Sequence, residues 1–285
     1  MLHYSRQWPL LCLSGAAWIC LLLLAFRREQ PCEQPMTALR CPWDAWPPLH
    51  FQPQPAIYII TPSRHSLGQR PNLIRMAQTL RLVPNLHWLV IEDGNATLNS
   101  TALLLQRSCV SHTYLSAVKD ETKRRGRGMA QRNRALRWLR ERIPAASVIF
   151  FGDDDNAYDV RFFQQMRRVK RVGVWAVGIV GGSLVEAPRV ANGSVVGWDA
   201  WYSRPMATDM AGFAFTFGAL LKSSAHFHVR CTPGLTEACF IKQLGVKQRD
   251  LEPLGFEGEA GEREILVWHT RHRYSARGSD MGMLM

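Results

Sequence analysis

The chain has 285 residues, of which 47% are hydrophobic and 10% aromatic, enough for a core in one large or two small domains. Lysine and arginine number 35 against 23 acidic residues, and the net charge of +12 indicates an anionic partner: nucleic acid, anionic lipid, or a phosphorylated or sulfated ligand. No GxGxxG sequence follows the first predicted strand and no Walker A sequence occurs, which disfavours NAD-dependent and P-loop chemistry.

The N-terminal region contains an uncharged apolar stretch of 19 residues at 8–26. This length is typical of a membrane-spanning helix. A cleaved signal peptide is the alternative, but the stretch is longer than a usual signal-peptide core and does not end in a small-residue cleavage site. We therefore predict a cytoplasmic tail at 1–7, a transmembrane signal anchor at 8–26 and a proline-rich stem at 27–54.

Glycosylation sequons and cysteines give weaker information about the compartment. Sequons at Asn95, Asn99 and Asn192 favour a lumenal position for the body of the chain. Five cysteines lie outside the apolar stretch, and this odd number indicates a free thiol or an intermolecular disulfide. Cys32, in the stem, is the candidate for a disulfide between two copies of the chain, and an unpaired stem cysteine is the alternative.

Strands and helices alternate in the first half of the chain. Strands are predicted at 56–60, 87–91, 112–115 and 147–151, and helices at 72–82, 102–109 and 129–142. This alternation predicts a parallel sheet whose strand ends meet at one edge. Thr61, Asp93 and Asp153 follow three of these strands, and we expect them to lie in a nucleotide-binding cleft.

The second half of the chain has a less regular pattern. It predicts one apolar strand at 172–180, part of a hairpin at 195–198, a mixed apolar segment at 210–221, a helix at 236–244 and a last strand at 265–268.

Three consecutive aspartates, Asp153, Asp154 and Asp155, end the strand predicted at 147–151. Because their charges repel one another, they indicate a site where a divalent cation or a cationic ligand neutralises them. The alternative is an acidic turn that caps a helix beginning near Tyr158, since aspartate is a good N-cap.

Other residues have chemistry that suits such a cleft. Asp93 can accept a hydrogen bond from a base or sugar, or it is a turn residue. Arg127 and Arg132, in and after a basic glycine-containing loop, suit phosphate contact, although such runs are often solvated surfaces. Glu237, at the start of a short helix, is either a general base or a capping residue. His269 and Arg271 are two apart on an extended segment, so they point the same way and can jointly hold a diphosphate.

Several collinear segments resemble the animal β-1,3-glucuronyltransferases. They are His87–Asp93 (HWLVIED), Gln131–Asn133 (QRN), Phe151–Asn156 (FGDDDN), 175–182, 209–214 (DMAGFA) and 267–271 (VWHTR). The resemblance covers roughly residues 56–280. It implies a GT-A type α/β fold, with a Rossmann-like nucleotide-binding half at 55–155 and a mixed-sheet acceptor-binding half at 156–285. It also implies UDP-glucuronate as donor, Mn²⁺ as cofactor, a single-pass type II Golgi membrane topology and a homodimer.

The resemblance also implies roles for individual residues. Glu237 would be the catalytic base, and Asp155 would coordinate the metal. The residues that would bind UDP-glucuronate are Pro62, Ser63, Arg64, Asp93, Arg127, Arg132, Asp153, Asp154, Asp155, His269, Thr270 and Arg271. The residues that would line the acceptor galactose site are Glu186, Trp201, Arg204 and Asp209.

The sequence departs from the family pattern in two places. Arg64 stands where the family usually has an aromatic residue that stacks on uracil, and a guanidinium can also stack. Residues 231–236, just before Glu237, deviate as well. The favoured acceptor is the Gal-Gal-Xyl linkage region of proteoglycans, and N-acetyllactosamine is the alternative. A non-catalytic lumenal glycan-binding protein on the same fold is an alternative of another class. A nucleic-acid-binding protein conflicts with the predicted anchor and the sequons.

Overall fold

The computed structural model describes residues 54–118, 128–231, 235–255 and 264–270. They all belong to one unit of the chain, Pro47–Met285. The predicted tail, the predicted anchor, Cys32 and nearly all of the predicted stem lie outside the described residues. Among the helices that are described, none has the length and apolar character needed to cross a membrane.

Strands and helices follow one another along the described part of the chain. In order, they are β1 (Ile57–Ser63), α1 (Gln69–Leu80), β2 (Leu86–Asp93), α2 (Asn99–Arg107), β3 (His112–Ala117), α3 (Met129–Arg140), β4 (Val148–Phe151), β5 (Asn156–Tyr158), α4 (Val160–Met166), β6 (Val172–Val174), β7 (Val177–Val180), β8 (Ser183–Ala191), β9 (Ser194–Asp199), β10 (Phe213–Thr216), α5 (Phe217–Leu221), α6 (Thr236–Gln243), β11 (Glu252–Pro253) and β12 (Val267–His269). Two short 3-10 helices lie at Met210–Gly212 and Gln248–Asp250.

Of the two sheets formed by the described residues, the larger has seven strands in the order β11-β6-β10-β4-β1-β2-β3. Strands β1, β2, β3 and β4 are parallel, as the alternation of strands and helices predicts. β10 runs antiparallel to both of its neighbours, β4 and β6. The sheet therefore includes strands from both of the predicted halves of the chain.

Helices cover both faces of this sheet. Consecutive residues of its parallel strands point to opposite sides, so each strand contributes to two buried clusters. Ile59, Trp88 and Phe150 belong to a buried cluster that includes residues of α1, α2 and α4. The residues that follow them, Ile60, Leu89 and Phe151, belong to a second cluster with residues of α3, α5 and α6. Burial of each large side chain stabilises the fold by about 1.5–3 kcal/mol, which explains the continuous apolar runs in these strands.

A five-stranded sheet has the order β5-β12-β7-β8-β9. The predicted hairpin is confirmed as β8 and β9, which pair antiparallel. Asn192 and Gly193 form the connecting turn with φ angles of 49° and 72°, the positive values that a two-residue hairpin turn requires. β12 pairs with β5 and β7, which places the residues after it beside the aspartates before β5.

The single strand predicted at 172–180 is wrong. β6 pairs with β10 and β11 in the larger sheet, whereas β7 pairs with β8 and β12 in the smaller one. The chain passes between the sheets at Trp175, whose indole donates to Gln165 Oε1 at 2.9 Å and packs against Phe162. Nearly every residue of the segment is buried, so the apolar pattern continues through the break and does not reveal it.

The alternative in which the aspartates cap a helix near Tyr158 is also wrong. Asp153, Asp154 and Asp155 are followed by β5, and α4 begins only at Val160. Its N-cap is Asp159, whose carboxylate accepts a hydrogen bond from the Arg161 backbone N–H at 2.8 Å.

The contact between Gly178 and Trp268 joins β7 to β12 and gives a stability prediction. A Cβ atom on Gly178 would lie 2.1 Å from Cε3 of Trp268. We expect Gly178→Ala to displace the indole ring and to lower the free energy of unfolding by about 1–3 kcal/mol, measured by urea or thermal unfolding. Gly218→Ala in α5 is the matched control, because its Cβ would meet only the Ala145 carbonyl oxygen at 3.5 Å. Equal stability of the two variants would contradict this packing.

Candidate active site

The ends of β1, β2 and β4 deliver polar residues to one edge of the larger sheet. The register pairs Ile60 with Phe151 and Ser63 with Glu92, so Ser63, Asp93 and Asp153 stand at neighbouring strand ends. Thr61 donates from Oγ1 to the Gly152 carbonyl oxygen at 2.6 Å, which fixes the point where β4 ends. The predicted convergence of these strand ends is therefore present in the structure.

Each of the three aspartates has a different environment. Asp153 accepts from Arg132 Nη2 at 2.7 Å, in an ion pair whose arginine side chain is 8% exposed. Asp154 accepts from Ser63 Oγ at 3.3 Å. Asp155 is exposed, and its backbone carbonyl accepts from Thr270 Oγ1, which connects the aspartates to the residue after β12.

The charges of the aspartates act on one another. Burial and the neighbouring charges of Asp153 and Asp155 raise the pKa of Asp154 to about 7. Burial also raises the pKa of Asp153, in opposition to the Arg132 guanidinium. A divalent cation at this point would relieve both effects, and carboxylate oxygens suit hard cations such as Mg²⁺ and Mn²⁺.

The aspartates do not form a closed metal cage by themselves. Within the described residues, the one group of three or more His, Cys, Asp or Glu side chains whose ligand atoms lie within 4.8 Å of one another is His228, Cys231 and Cys239. A site with one or two carboxylates is the usual arrangement where substrate phosphates supply further ligands. The exposed Asp155 fits such a site.

The basic side of the site is formed by the start of α3. Gly128 precedes the helix with φ 70°, and a Cβ there would lie 2.5 Å from Arg132 Nη1 and 3.2 Å from Pro62 Cβ. The glycine thus allows α3 to approach the end of β1. Gln131 donates from Nε2 to Asp93 Oδ1 at 2.8 Å and to the Ala117 carbonyl at 3.1 Å, so α3 also ties the ends of β2 and β3.

His269 and Asp209 form a hydrogen-bonded pair, with 2.9 Å between Nε2 and Oδ1. Burial alone would lower the pKa of His269, but the hydrogen bond to Asp209 and the charges of Asp209, Asp153 and Asp155 outweigh it and raise the pKa. Burial would raise the pKa of Asp209, but its bonds to His269 and the Ala211 N–H lower it. Both shifts favour the charged form of the pair. It joins a predicted donor residue to a predicted acceptor residue.

A second ion pair, between Arg204 and Glu186, lies on the other side of the site. Arg204 donates from Nη1 and Nη2 to the two oxygens of Glu186 at 2.8 and 2.7 Å, and the glutamate is only 2% exposed. The guanidinium also stands over the ring of Tyr202, 4.8 Å from its centroid. Trp201 is 73% exposed, with its ring beside Gly182.

Glu237 lies in the first turn of α6, and its carboxyl interacts electrostatically with residues of both of these groups. Burial raises its pKa to about 7, and the charge of Asp209 adds to this effect, whereas Arg132 and Arg204 oppose it. A carboxyl with a pKa near neutrality is suited to proton transfer at physiological pH. Since Arg132 and Arg204 both act on it, Glu237 is within electrostatic range of both sides of the site.

The structure places most of the predicted site residues together, but it does not describe two of them. Arg127 and Arg271 are not among the described residues. Arg64 is exposed at the end of β1. The resemblance implies that Asp153 orders the arginines, and its ion pair with Arg132 agrees with this. It does not predict the pairs His269–Asp209 and Arg204–Glu186, because a pair such as His269 and Asp209, sixty residues apart, leaves no local signal in the sequence.

A hydrogen-bond network behind the aspartates was also not predicted. Gln69 donates from Nε2 to Ser63 Oγ at 3.0 Å and to Glu92 Oε2 at 2.8 Å, and Tyr114 donates to the same Glu92 oxygen at 2.6 Å. It connects α1, β2 and β3 to Ser63, and through Ser63 to Asp154.

Comparison with known proteins identifies relatives of the chain. It is 40% identical over 232 residues to the galactosylgalactosylxylosylprotein 3-beta-glucuronosyltransferase sqv-8 of Caenorhabditis elegans, covering 76% of this chain and 64% of that protein. It is 43% identical over 243 residues to galactosylgalactosylxylosylprotein 3-beta-glucuronosyltransferase 1 of Homo sapiens, covering 79% of this chain and 71% of that protein. The chain thus spans about two thirds of the length of these relatives.

Solved structures support the fold. The crystal structure of S. aureus TarS 1-349 matches with a TM-score of 0.50 and 13% sequence identity, over 75% of this chain and 60% of that one. The predicted GT-A type fold is confirmed. Residues 76–273 match the sequence profile of Glycosyltransferase family 43. With this match and relatives at least 40% identical over most of its length, the chain belongs to glycosyltransferase family 43.

Proposed function

We propose that the protein is an inverting glucuronyltransferase that moves glucuronate from UDP-glucuronate to the 3-hydroxyl of a terminal β-galactose. The observation that carries the proposal is the position of Glu237, a carboxyl with a pKa of about 7, near both Arg132 and Arg204. The relatives are named for this transfer to galactosylgalactosylxylosylprotein, and we therefore propose the Gal-Gal-Xyl linkage as the acceptor.

The donor would occupy the edge of the larger sheet. Pro62, Ser63, Arg64 and Asp93 would hold the uridine, since they stand where β1 and β2 end. Asp154 would contact the ribose, and Asp153 would hold Arg132 in place through their 2.7 Å ion pair. This leaves the guanidinium fixed at the diphosphate position before the substrate arrives, which lowers the cost of ordering it.

Further groups would complete the donor site. His269, charged through its bond to Asp209, and Thr270, tied to Asp155, would contact the diphosphate or the glucuronate carboxylate. Arg127 and Arg271 belong to the same proposal from their sequence positions, next to Gly128 and Thr270.

The acceptor would occupy the opposite side, against Glu186, Trp201, Arg204 and Asp209. The exposed indole of Trp201 offers an apolar face to a sugar ring. The buried ion pair between Glu186 and Arg204 fixes both side chains so that they keep one geometry when the acceptor binds.

The reaction would be a single displacement. Glu237 takes the proton from the galactose 3-hydroxyl as its oxygen forms a bond to the anomeric carbon of glucuronate. The bond from that carbon to the diphosphate oxygen breaks on the opposite face, and UDP leaves with the electron pair. Arg132 and the charged His269 stabilise the negative charge that develops on the leaving diphosphate.

A divalent cation, with Mn²⁺ as our proposal, would supply additional stabilisation of charge on the diphosphate. Asp155 would be its protein ligand. The elevated pKa of the neighbouring Asp154 supports this assignment, because it reflects burial and, in addition, the charges of Asp153 and Asp155, which a cation would neutralise.

We also propose a cellular setting from the sequence. Residues 8–26 would anchor a type II protein in the Golgi membrane with the catalytic part in the lumen. The exposed sequon asparagines Asn95, Asn99 and Asn192 and the disulfide between Cys231 and Cys239 support an oxidising lumenal compartment. A homodimer with a disulfide through Cys32 belongs to the same proposal.

The acceptor assay is the direct test of this function. We expect UDP release from UDP-glucuronate with Mn²⁺ to be faster with Galβ1-3Gal than with Galβ1-4GlcNAc, because the proposed acceptor is the linkage region. Faster turnover with Galβ1-4GlcNAc would assign the N-acetyllactosamine alternative. If neither acceptor supports transfer while glycan binding is detected, a non-catalytic glycan-binding protein is the correct description.

The pH dependence of transfer tests the role of Glu237. We expect kcat to rise with pH through a limb near 7, because the carboxyl has a pKa of about 7 and must lose its proton to act as base. In Glu237→Gln we expect kcat to fall by roughly 10²–10⁴-fold, with no such limb in the remaining activity. UDP binding, measured by calorimetry, is the control for folding and should not change. A limb near 7 that persists in Glu237→Gln would assign it to another group.

Removal of one carboxylate tests the metal site. We expect Asp155→Asn to weaken Mn²⁺-dependent UDP binding by about tenfold or more, since it removes the proposed ligand and one negative charge. Calorimetric titration with UDP, with and without Mn²⁺, measures the effect. Glu141→Gln is the matched control, because Glu141 is exposed at the far end of α3. An unchanged Mn²⁺ effect in Asp155→Asn would remove Asp155 from the metal site.

A further inference from the structure

A disulfide joins Cys231 to Cys239 on either side of Glu237. The two cysteines are eight residues apart, with 6.0 Å between their Cα atoms. Glu237 is two residues before Cys239, in the first turn of α6. The proposed catalytic base is therefore part of a short loop that is closed by a covalent bond.

Among the described residues, the side-chain polar support at the beginning of α6 is the hydrogen bond of the Glu237 carboxylate to its own backbone N–H. Its N-cap residue, Leu235, makes no side-chain hydrogen bond to the first turn. A helix start without a cap is about 1 kcal/mol less stable than a capped one, and it frays more readily. A carboxyl in such a turn needs another restraint if it is to keep one position.

The segment that carries Cys231 is itself held firmly against α3 and α6. Asn133 donates from Nδ2 to the Phe227 carbonyl at 2.7 Å, and its Oδ1 accepts from the Phe227 N–H at 2.8 Å. The Phe227 ring stacks on Phe240 of α6 at 4.6 Å between centroids. Gln243 forms two hydrogen bonds with the backbone of His226.

These contacts join residues 226–231 to successive positions of α6, from its end towards its beginning. They involve Gln243 and Phe240 in its later turns, and then Cys239, which is the member nearest to Glu237. Asn133 follows Arg132, the arginine proposed for the donor diphosphate. The disulfide therefore completes a connection from the donor side of the site, through residues 226–231, to the turn that carries the base.

We propose that Cys231 and Cys239 are positioning residues for glucuronate transfer, and that their disulfide holds Glu237 in line with the acceptor hydroxyl and the donor. This inference rests on the proposed function, in which Glu237 is the base. Displacement of a catalytic group by about 1 Å can cost on the order of a hundredfold in rate, so a restraint at this point has a measurable effect.

Metal binding is the alternative role for the same cysteines, and the structure disfavours it. His228 Nε2 lies 3.8 Å from the Cys231 sulfur and 3.9 Å from the Cys239 sulfur, so the three side chains are close enough to hold a metal ion. A metal site requires both sulfurs as thiolates. In the disulfide both sulfurs are already bonded to each other, which favours the positioning role.

The test uses the full chain with both cysteines replaced, Cys231→Ser and Cys239→Ser. We expect kcat to fall by about tenfold to a hundredfold, with the KM for UDP-glucuronate unchanged within about twofold, because the donor side is held by other contacts. We also expect the acid limb of kcat to move below 7, since the loosened turn takes Glu237 away from its buried position near Asp209, Arg132 and Arg204. Calorimetric UDP binding and the unfolding midpoint report whether the variant is folded.

A reducing phosphine applied to the unmodified chain provides a reversible version of the same change. It should lower kcat to the level of the double variant, and reoxidation should restore it. The double variant controls for the reduction of other disulfides, such as the one at Cys109, and should not respond to the phosphine.

The outcomes separate this inference from the function on which it rests. A double variant with the kcat and pH profile of the unmodified chain would overturn the inference and leave the function intact. An equal loss of kcat and of UDP binding would also overturn it, because the disulfide would then support the fold as a whole. Absence of transfer by the unmodified chain would overturn both.

Discussion

The ion pair between Arg132 and Asp153 is the interaction on which the rest of the site depends. Asp153 follows the central strand β4, where burial raises its pKa, and the guanidinium at 2.7 Å makes the charged form tolerable. Loss of one partner of this partly buried pair leaves a charge without its partner, which destabilises the fold. Gly128 allows α3 to lie close to the end of β1. This position brings Arg132 to the charge of Asp153 at the end of β4.

The same constraint separates the acidic residues of the site into two kinds. Asp153, Asp209 and Glu186 are paired with Arg132, His269 and Arg204. Within the described part of the chain, no ion pair involves Asp154, Asp155 or Glu237. Asp154 and Glu237 are the two carboxyls whose pKa is raised to about 7. The carboxylates outside these ion pairs thus stand where the proposed chemistry needs a bound cation and a proton acceptor, whereas the paired ones fix the geometry around them.

The sequence predicts one part of this arrangement well and another part poorly. The parallel strands 56–60, 87–91 and 147–151 and the convergence of their ends follow from periodicity, because both faces of such strands are buried. The break between β6 and β7 at Trp175 does not follow from periodicity, since the apolar run continues where the chain passes from one sheet to the other. The pairs His269–Asp209 and Arg204–Glu186 and the disulfide at Cys231 depend on tertiary contacts between segments whose local patterns are ordinary. The family resemblance implies a set of site residues and the ordering of the arginines by Asp153, but not the pairs of His269 with Asp209 and of Arg204 with Glu186.

The difference between the two sides of the site explains why the acceptor is harder to deduce than the donor. The donor side is built on buried strand ends, whose residues have few alternatives consistent with folding. On the acceptor side, the buried pair Glu186–Arg204 is similarly constrained, but Trp201 is 73% exposed and Leu184 is 84% exposed on the neighbouring strand β8. Exposed side chains change with small effects on stability, usually within about 0.5 kcal/mol, so folding places little restriction on them. Selectivity between galactose-terminated acceptors is therefore expected to depend on these exposed side chains, and the chemistry of transfer on the buried ones.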